Sequence, residues 1–108
     1  MNHLKVGDID LSSQQLTEVC TILSALVPDI TVWAFGSRVV GNAREYSDLD
    51  LALITEEPIS LGVMADLVAS FEESNLPFKV DLIDWACTSD NFRNIIMANK
   101  VVIREGQR

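Results

Sequence analysis

The chain is expected to fold as an α/β domain, a small β-sheet flanked by helices. Three observations predict this. Stretches with apolar residues at helical spacing alternate with short, unbroken apolar runs, in the order αβ(α)βαβα. The run from Asp48 to Ile54 is apolar on both faces beyond its two acids, as a strand covered on both sides would be. A length of 108 residues, 48% of them apolar, suffices for one compact core and is too apolar for a disordered chain. A single domain spanning 1–108 is therefore expected.

Residues 1–11 read as a loosely ordered lead-in. Ser12 and Gln15 stand at capping-box spacing and open a helix. Its apolar face is Leu16, Val19, Cys20, Leu23, Leu26 and Val27, and Pro28-Asp29 ends it. Ile30 to Phe35, rich in β-branched and aromatic residues, is the first strand. A short helix or turn capped by Ser37 follows Gly36, and Gly41-Asn42 breaks it. Ala43 to Ser47 is loop, and Asp48 to Ile54 is the second strand. Ser60 caps a helix whose inward stripe is Met64, Leu67, Val68 and Phe71. The third strand is expected over Phe78 to Trp85, with Asp84 as a strand-end or cap residue. Thr88-Ser89-Asp90 starts a last helix with Phe92, Ile95 and Ile96 facing inward. Val101-Val102-Ile103 fits either a strand or a final helical turn. Trp33 and Trp85 are assigned to the core rather than to base stacking.

Composition narrows the function. Sixteen acidic against eight basic side chains give a formal net charge of −8. Such a chain repels phosphate backbones, so direct nucleic-acid binding is not expected, whereas docking onto a basic partner is permitted. No apolar run approaches the roughly 18 residues of a membrane span, and the N-terminus lacks a secretory core, so a cytoplasmic location is expected. Cys20 and Cys87 are spaced neither as metal ligands nor as a disulfide framework. Cys20 is in phase with the helix face; Cys87 receives no role.

The chemistry concentrates between Gly36 and Asp50. In a strand, residues i and i+2 share a face, so Asp48 and Asp50 project together, about 6.5–7 Å apart along the backbone. Two such carboxylates can converge on divalent cations about 3.5–4 Å apart. Asp81 lies on the same face of its strand as Lys79 and Ile83; beside the second strand it would complete a cluster of three. Such a cluster repels itself unless cations occupy it, and Mg²⁺ suits carboxylate oxygens while leaving places for phosphate and water. Gly36 lets a phosphate approach the backbone, Ser37 offers a hydroxyl, and the N-terminus of a following helix offers N–H groups. Arg38 and Arg44 are the cations available to a triphosphate. Gly41 lets the loop fold back over the site. Gly36 and Gly41 also fit the start of a P-loop, but Asn42-Ala43 stands where Lys and Ser or Thr would follow, so that reading fails.

Gly36-Ser37, ten intervening residues and Asp48-x-Asp50, with Asp81 as a third acid, resemble the signature of the polymerase β-like nucleotidyltransferase superfamily. The whole chain, including Val32-Trp33-Ala34-Phe35 and Val80-Asp81-Leu82-Ile83-Asp84-Trp85, is similar to the minimal nucleotidyltransferase (MNT) proteins. The resemblance implies a small mixed sheet flanked by helices. It also implies transfer of a nucleoside monophosphate, AMP foremost, from an NTP to a hydroxyl with release of pyrophosphate. Asp48 and Asp50 would hold two Mg²⁺ ions, and Asp81 would bind the catalytic one and help activate the acceptor oxygen. Gly36, Ser37, Arg38, Gly41 and Arg44 would bind the nucleotide. One departure is Val40, where many members carry a basic residue, so one phosphate contact is absent.

Larger members carry a further helical domain that binds the acceptor, and these 108 residues hold none. A second chain is therefore expected, either another copy in a homodimer or a helical partner. The resemblance points to a HEPN-type toxin, with this chain as the antitoxin that adenylylates it. The alternative, of another class, is a nucleotide-binding subunit that neutralises or completes the HEPN partner by contact alone.

Overall fold

The computed structural model describes residues 9–107. Helix α1 (Ser13–Leu26) opens at the expected capping box: Ser12 Oγ accepts from Gln15 N and Gln15 Oε1 accepts from Ser12 N. Strand β1 (Thr31–Phe35) leads into a one-turn helix, α2 (Ser37–Val40). Then come β2 (Leu49–Ile54), α3 (Leu61–Glu72) capped by Ser60, and β3 (Val80–Asp84). A 3₁₀ turn (Trp85–Cys87) precedes α4 (Asp90–Ala98), which Ser89 caps, and β4 (Val101–Arg104) closes the chain. The terminal apolar run, ambiguous by periodicity, is a strand because β1 offers it an antiparallel edge.

The four strands form one mixed sheet in the order β3-β2-β1-β4. β1 pairs antiparallel with β2 and with β4, and β2 pairs parallel with β3. Alternation divides the side chains between two faces. Val32, Ala34, Leu49, Leu51 and Leu53 point to α1 and α3 and build the larger core with Val19, Leu23, Leu67 and Phe71. Phe35 and Ala52 point to α4, where Ile96, Phe92, Trp33 and Trp85 form a second core. Both tryptophans are half-buried and pack against this second core, set edge to face with centroids 5.2 Å apart.

Several boundaries and faces differ from expectation. The expected lead-in extends to residue 11, yet Ile9 and Leu11 are buried in the larger core; residues 1–8 of it lie outside the described residues. β3 starts two residues late because Phe78 turns inward beneath Arg38, and it stops at Asp84 because that carboxylate caps the 3₁₀ turn. Ile95 is 64% exposed: α4 meets the sheet through Phe92 and Ile96, four residues apart, which swings Ile95 off the contact. Val68 is likewise exposed on α3 rather than buried.

Candidate active site

The site is assembled where the end of β1 meets the starts of β2 and β3. Phe35 stands opposite Asp50 in the antiparallel ladder, so the turn that follows, at Gly36, folds over Asp50. On the other side Asp50 is in register with Asp81 of the parallel strand β3. Residues in register on neighbouring strands share a face, so Asp50 and Asp81 emerge side by side on the face that carries Ala52 and Ile83. Asp48, exposed, lies two residues earlier on the approach to β2.

The acids sense one another. Partial burial raises the Asp50 pKa first, and the negative charges of Asp81 and then Asp48 raise it further. Lys79, on the same face, sits 3.7 Å from an Asp81 oxygen and offsets part of that charge. Among the described residues, no three acidic, histidine or cysteine side chains are already gathered around a single point. The crowding is nevertheless the kind a divalent cation relieves, and an all-oxygen donor set of carboxylates fits Mg²⁺.

Gly36 has φ 83° and ψ −158°, a conformation essentially reserved for glycine. A Cβ there would land on the Asp50 carboxylate. The residue that caps α2 is therefore Gly36 itself and not Ser37: its carbonyl accepts from Val39 N and Val40 N, and no side chain caps the helix. That leaves the N–H groups of Ser37 and Arg38, at the start of α2, without an intrahelical acceptor, and Ser37 is half-buried. Gly41 ends the turn in the left-handed region at φ 91°.

Arg38 requires a correction. Expected at the triphosphate, it is 5% exposed and points the other way. Its Nε donates to Ser47 O (3.0 Å), Nη1 to Asp10 O (2.8 Å) and Nη2 to Glu45 O (2.8 Å). Its guanidinium also lies 4.1 Å from the centre of the Phe78 ring. Arg38 thus ties the N-terminal segment, the loop before Asp48 and the residue preceding Lys79 into one unit, because a planar fork with several donors suits a cluster of carbonyls. Nothing in the sequence distinguished this role from phosphate binding. Arg44 remains exposed, with its backbone N–H held by Ser47 Oγ at 2.8 Å. Lys79 was placed on the Asp81 face by strand parity, but its pairing with Asp81 was not foreseen.

Fold and site together define a nucleotidyltransferase. The model of the polymerase β nucleotidyltransferase family matches residues 19–108, and the chain belongs to that family. It is 55% identical over 102 residues, 94% of this chain and 90% of the relative, to a Haemophilus influenzae protein described as probable protein adenylyltransferase MntA. Its fold is shared by the crystal structure of a toxin-antitoxin with AMP-PNP (TM-score 0.71, 20% identity, 85% of this chain and 74% of that one). It is shared also by a tri-AMPylated Shewanella oneidensis HEPN toxin in complex with MNT antitoxin (TM-score 0.64, 20% identity, 85% and 71%).

Proposed function

We propose that this chain is a Mg²⁺-dependent protein adenylyltransferase that moves AMP from ATP to a hydroxyl on a HEPN-type toxin and so acts as its antitoxin. The observation that carries this is the register of Asp50 with Asp81, with Asp48 beside them and the Gly36-Ser37 turn folded over Asp50. Family membership supplies the reaction class, and the 55% identical relative described as a protein adenylyltransferase supports a protein acceptor.

In this assignment the side-chain-free Gly36 and the N–H groups of Ser37 and Arg38 receive the triphosphate, with the Ser37 hydroxyl donating to a terminal oxygen. Gly41 shapes the return of the loop, and exposed Arg44 is a cation able to reach the phosphates. Arg38 acts through the loop it holds. The acceptor oxygen attacks the α-phosphorus; the bond to pyrophosphate breaks, and the acceptor's proton leaves on the side of Asp81. Asp48, Asp50 and Asp81 would hold Mg²⁺, which neutralises the triphosphate and polarises the acceptor oxygen when bound.

The test is co-incubation with the HEPN protein and ATP, followed by intact mass. Wild type adds AMP to the partner; Asp48→Asn and Asp50→Asn add none, yet still form the complex. Mutants that add nothing but neutralise the toxin as fully as wild type would show that contact alone is the mechanism.

A further inference from the structure

Among the described residues β3 is an edge strand, and its outer edge borders a groove of about 430 Å³. Met64, Val68 and Phe71 of α3 line one wall, and Leu76, Val80 and Leu82 line the other. Val68, 42% exposed, stands over it. The groove is an open flank of the larger core, to which Phe71 belongs and against which Met64, Leu76, Val80 and Leu82 pack, and it runs beside Asp81.

The ladder defines what this edge offers. Leu49 N donates to Lys79 O, which in a parallel pair commits the backbone of residues 79, 81 and 83 to β2. The N–H and C=O groups of Val80 and Leu82 then point outward, in line and, among the described residues, without a strand beside them. An extended segment pairing there would alternate its side chains. One set would enter the apolar groove with Val80 and Leu82. The intervening set would emerge on the opposite face, the face of Asp50 and Asp81. A hydroxyl residue in the second set would stand at the acids while its neighbours anchor in the groove. Glu72, Asp81 and Asp84 line the groove against one cation, Lys79, so its charge favours a basic segment.

We infer, resting on the adenylyl transfer proposed above, that the β3 edge is the acceptor-docking surface. Its occupant is an extended segment of the partner protein that adds as a fifth strand. That segment carries apolar residues at alternate positions, the acceptor hydroxyl between them, and lysine or arginine close by.

Amide hydrogen exchange of the chain with and without the HEPN protein tests the docking without requiring turnover. The amides of Val80 and Leu82 slow by about tenfold or more on complex formation, while those of Asp81 and Ile83 are already slow in the free chain. A complex that leaves Val80 and Leu82 unchanged overturns the inference. Protection that instead grows with concentration of the chain alone makes a second copy the occupant and overturns it equally. Val68→Arg, which closes the groove away from the acids, lowers the rate of partner modification about tenfold or more while Mg²⁺-ATP still raises its melting temperature. Modification at the wild-type rate by that variant also defeats the inference. If wild type itself adds no AMP, the transfer assignment fails, and the exchange data report separately on docking.

Discussion

The Asp50 carboxylate fills the space in which a side chain at Gly36 would stand. The two are neighbours because Phe35, the last residue of β1, is the ladder partner of Asp50. A backbone without Cβ and a partly buried acid thus occupy one small volume.

Gly36→Ala sets the methyl against Asp50 and forces a non-glycine residue into a backbone region that costs about 1–3 kcal/mol. Stability measured in urea should fall by at least that amount, and AMP transfer should drop with it as Asp50 is displaced. Gly41→Ala is the control. It also has positive φ, but a Cβ there meets nothing within 4 Å. It should cost about 1 kcal/mol and retain more activity.

Asp50→Asn should separate stability from function. Burial and the charges of Asp81 and Asp48 raise the Asp50 pKa in the folded chain. The folded state therefore binds this proton more tightly than the unfolded one, and the contribution of Asp50 to stability worsens as pH rises through that window. At neutral pH without metal, Asp50→Asn should be neutral or stabilising by thermal melting. The same variant should lose the rise in melting temperature that Mg²⁺-ATP gives wild type. A marked loss of metal-free stability would count against crowding of the three acids.

Asp84 has the opposite sign. Burial pushes its pKa up, but hydrogen bonds from Thr55, Ile59, Ala86 and Cys87 outweigh that and hold it below the usual range. Thr55 Oγ1 reaches it at 2.6 Å and Ile59 N at 2.7 Å. The stability it gives is present above the ordinary carboxylate pKa and lost as pH falls through the depressed one. Asp84→Ala should cost about 2 kcal/mol at neutral pH, and the gap to wild type should narrow in acid.

The legible parts of this fold were those with local causes. Ser12, Ser60 and Ser89 cap helices where their spacing indicates, and strand parity put Asp81 on the correct face. The cap of α2 was misread because serine is a usual side-chain acceptor at that position, whereas contact with Asp50 favours glycine. Burial of Ile9 and Leu11 depends on the Arg38 carbonyl accepting from Asp10 N at 2.7 Å, a pairing 28 residues apart that leaves no local pattern. The direction of Arg38 was hidden for the same reason. Its partners, Asp10, Glu45, Ser47 and Phe78, are scattered along the chain, and three of them take part only through backbone carbonyls.

Arg38 therefore supplies the sharpest contrast between a phosphate ligand and a brace. A ligand replaced by methionine would weaken ATP binding and leave the fold intact. A brace replaced by methionine leaves buried carbonyls without donors, so Arg38→Met should cost about 3 kcal/mol in urea. Arg38→Lys keeps the charge but cannot reach several carbonyls at once, and it should recover only part of that loss. Because Ser47 O and Glu45 O lie just before Asp48, release of the loop should also misplace that acid and lower the transfer rate by roughly ten- to a hundredfold. The discriminating measurement is ATP affinity below the melting transition. Unchanged affinity with a slower rate identifies the brace; a large rise in Kd with full stability would restore Arg38 to the triphosphate.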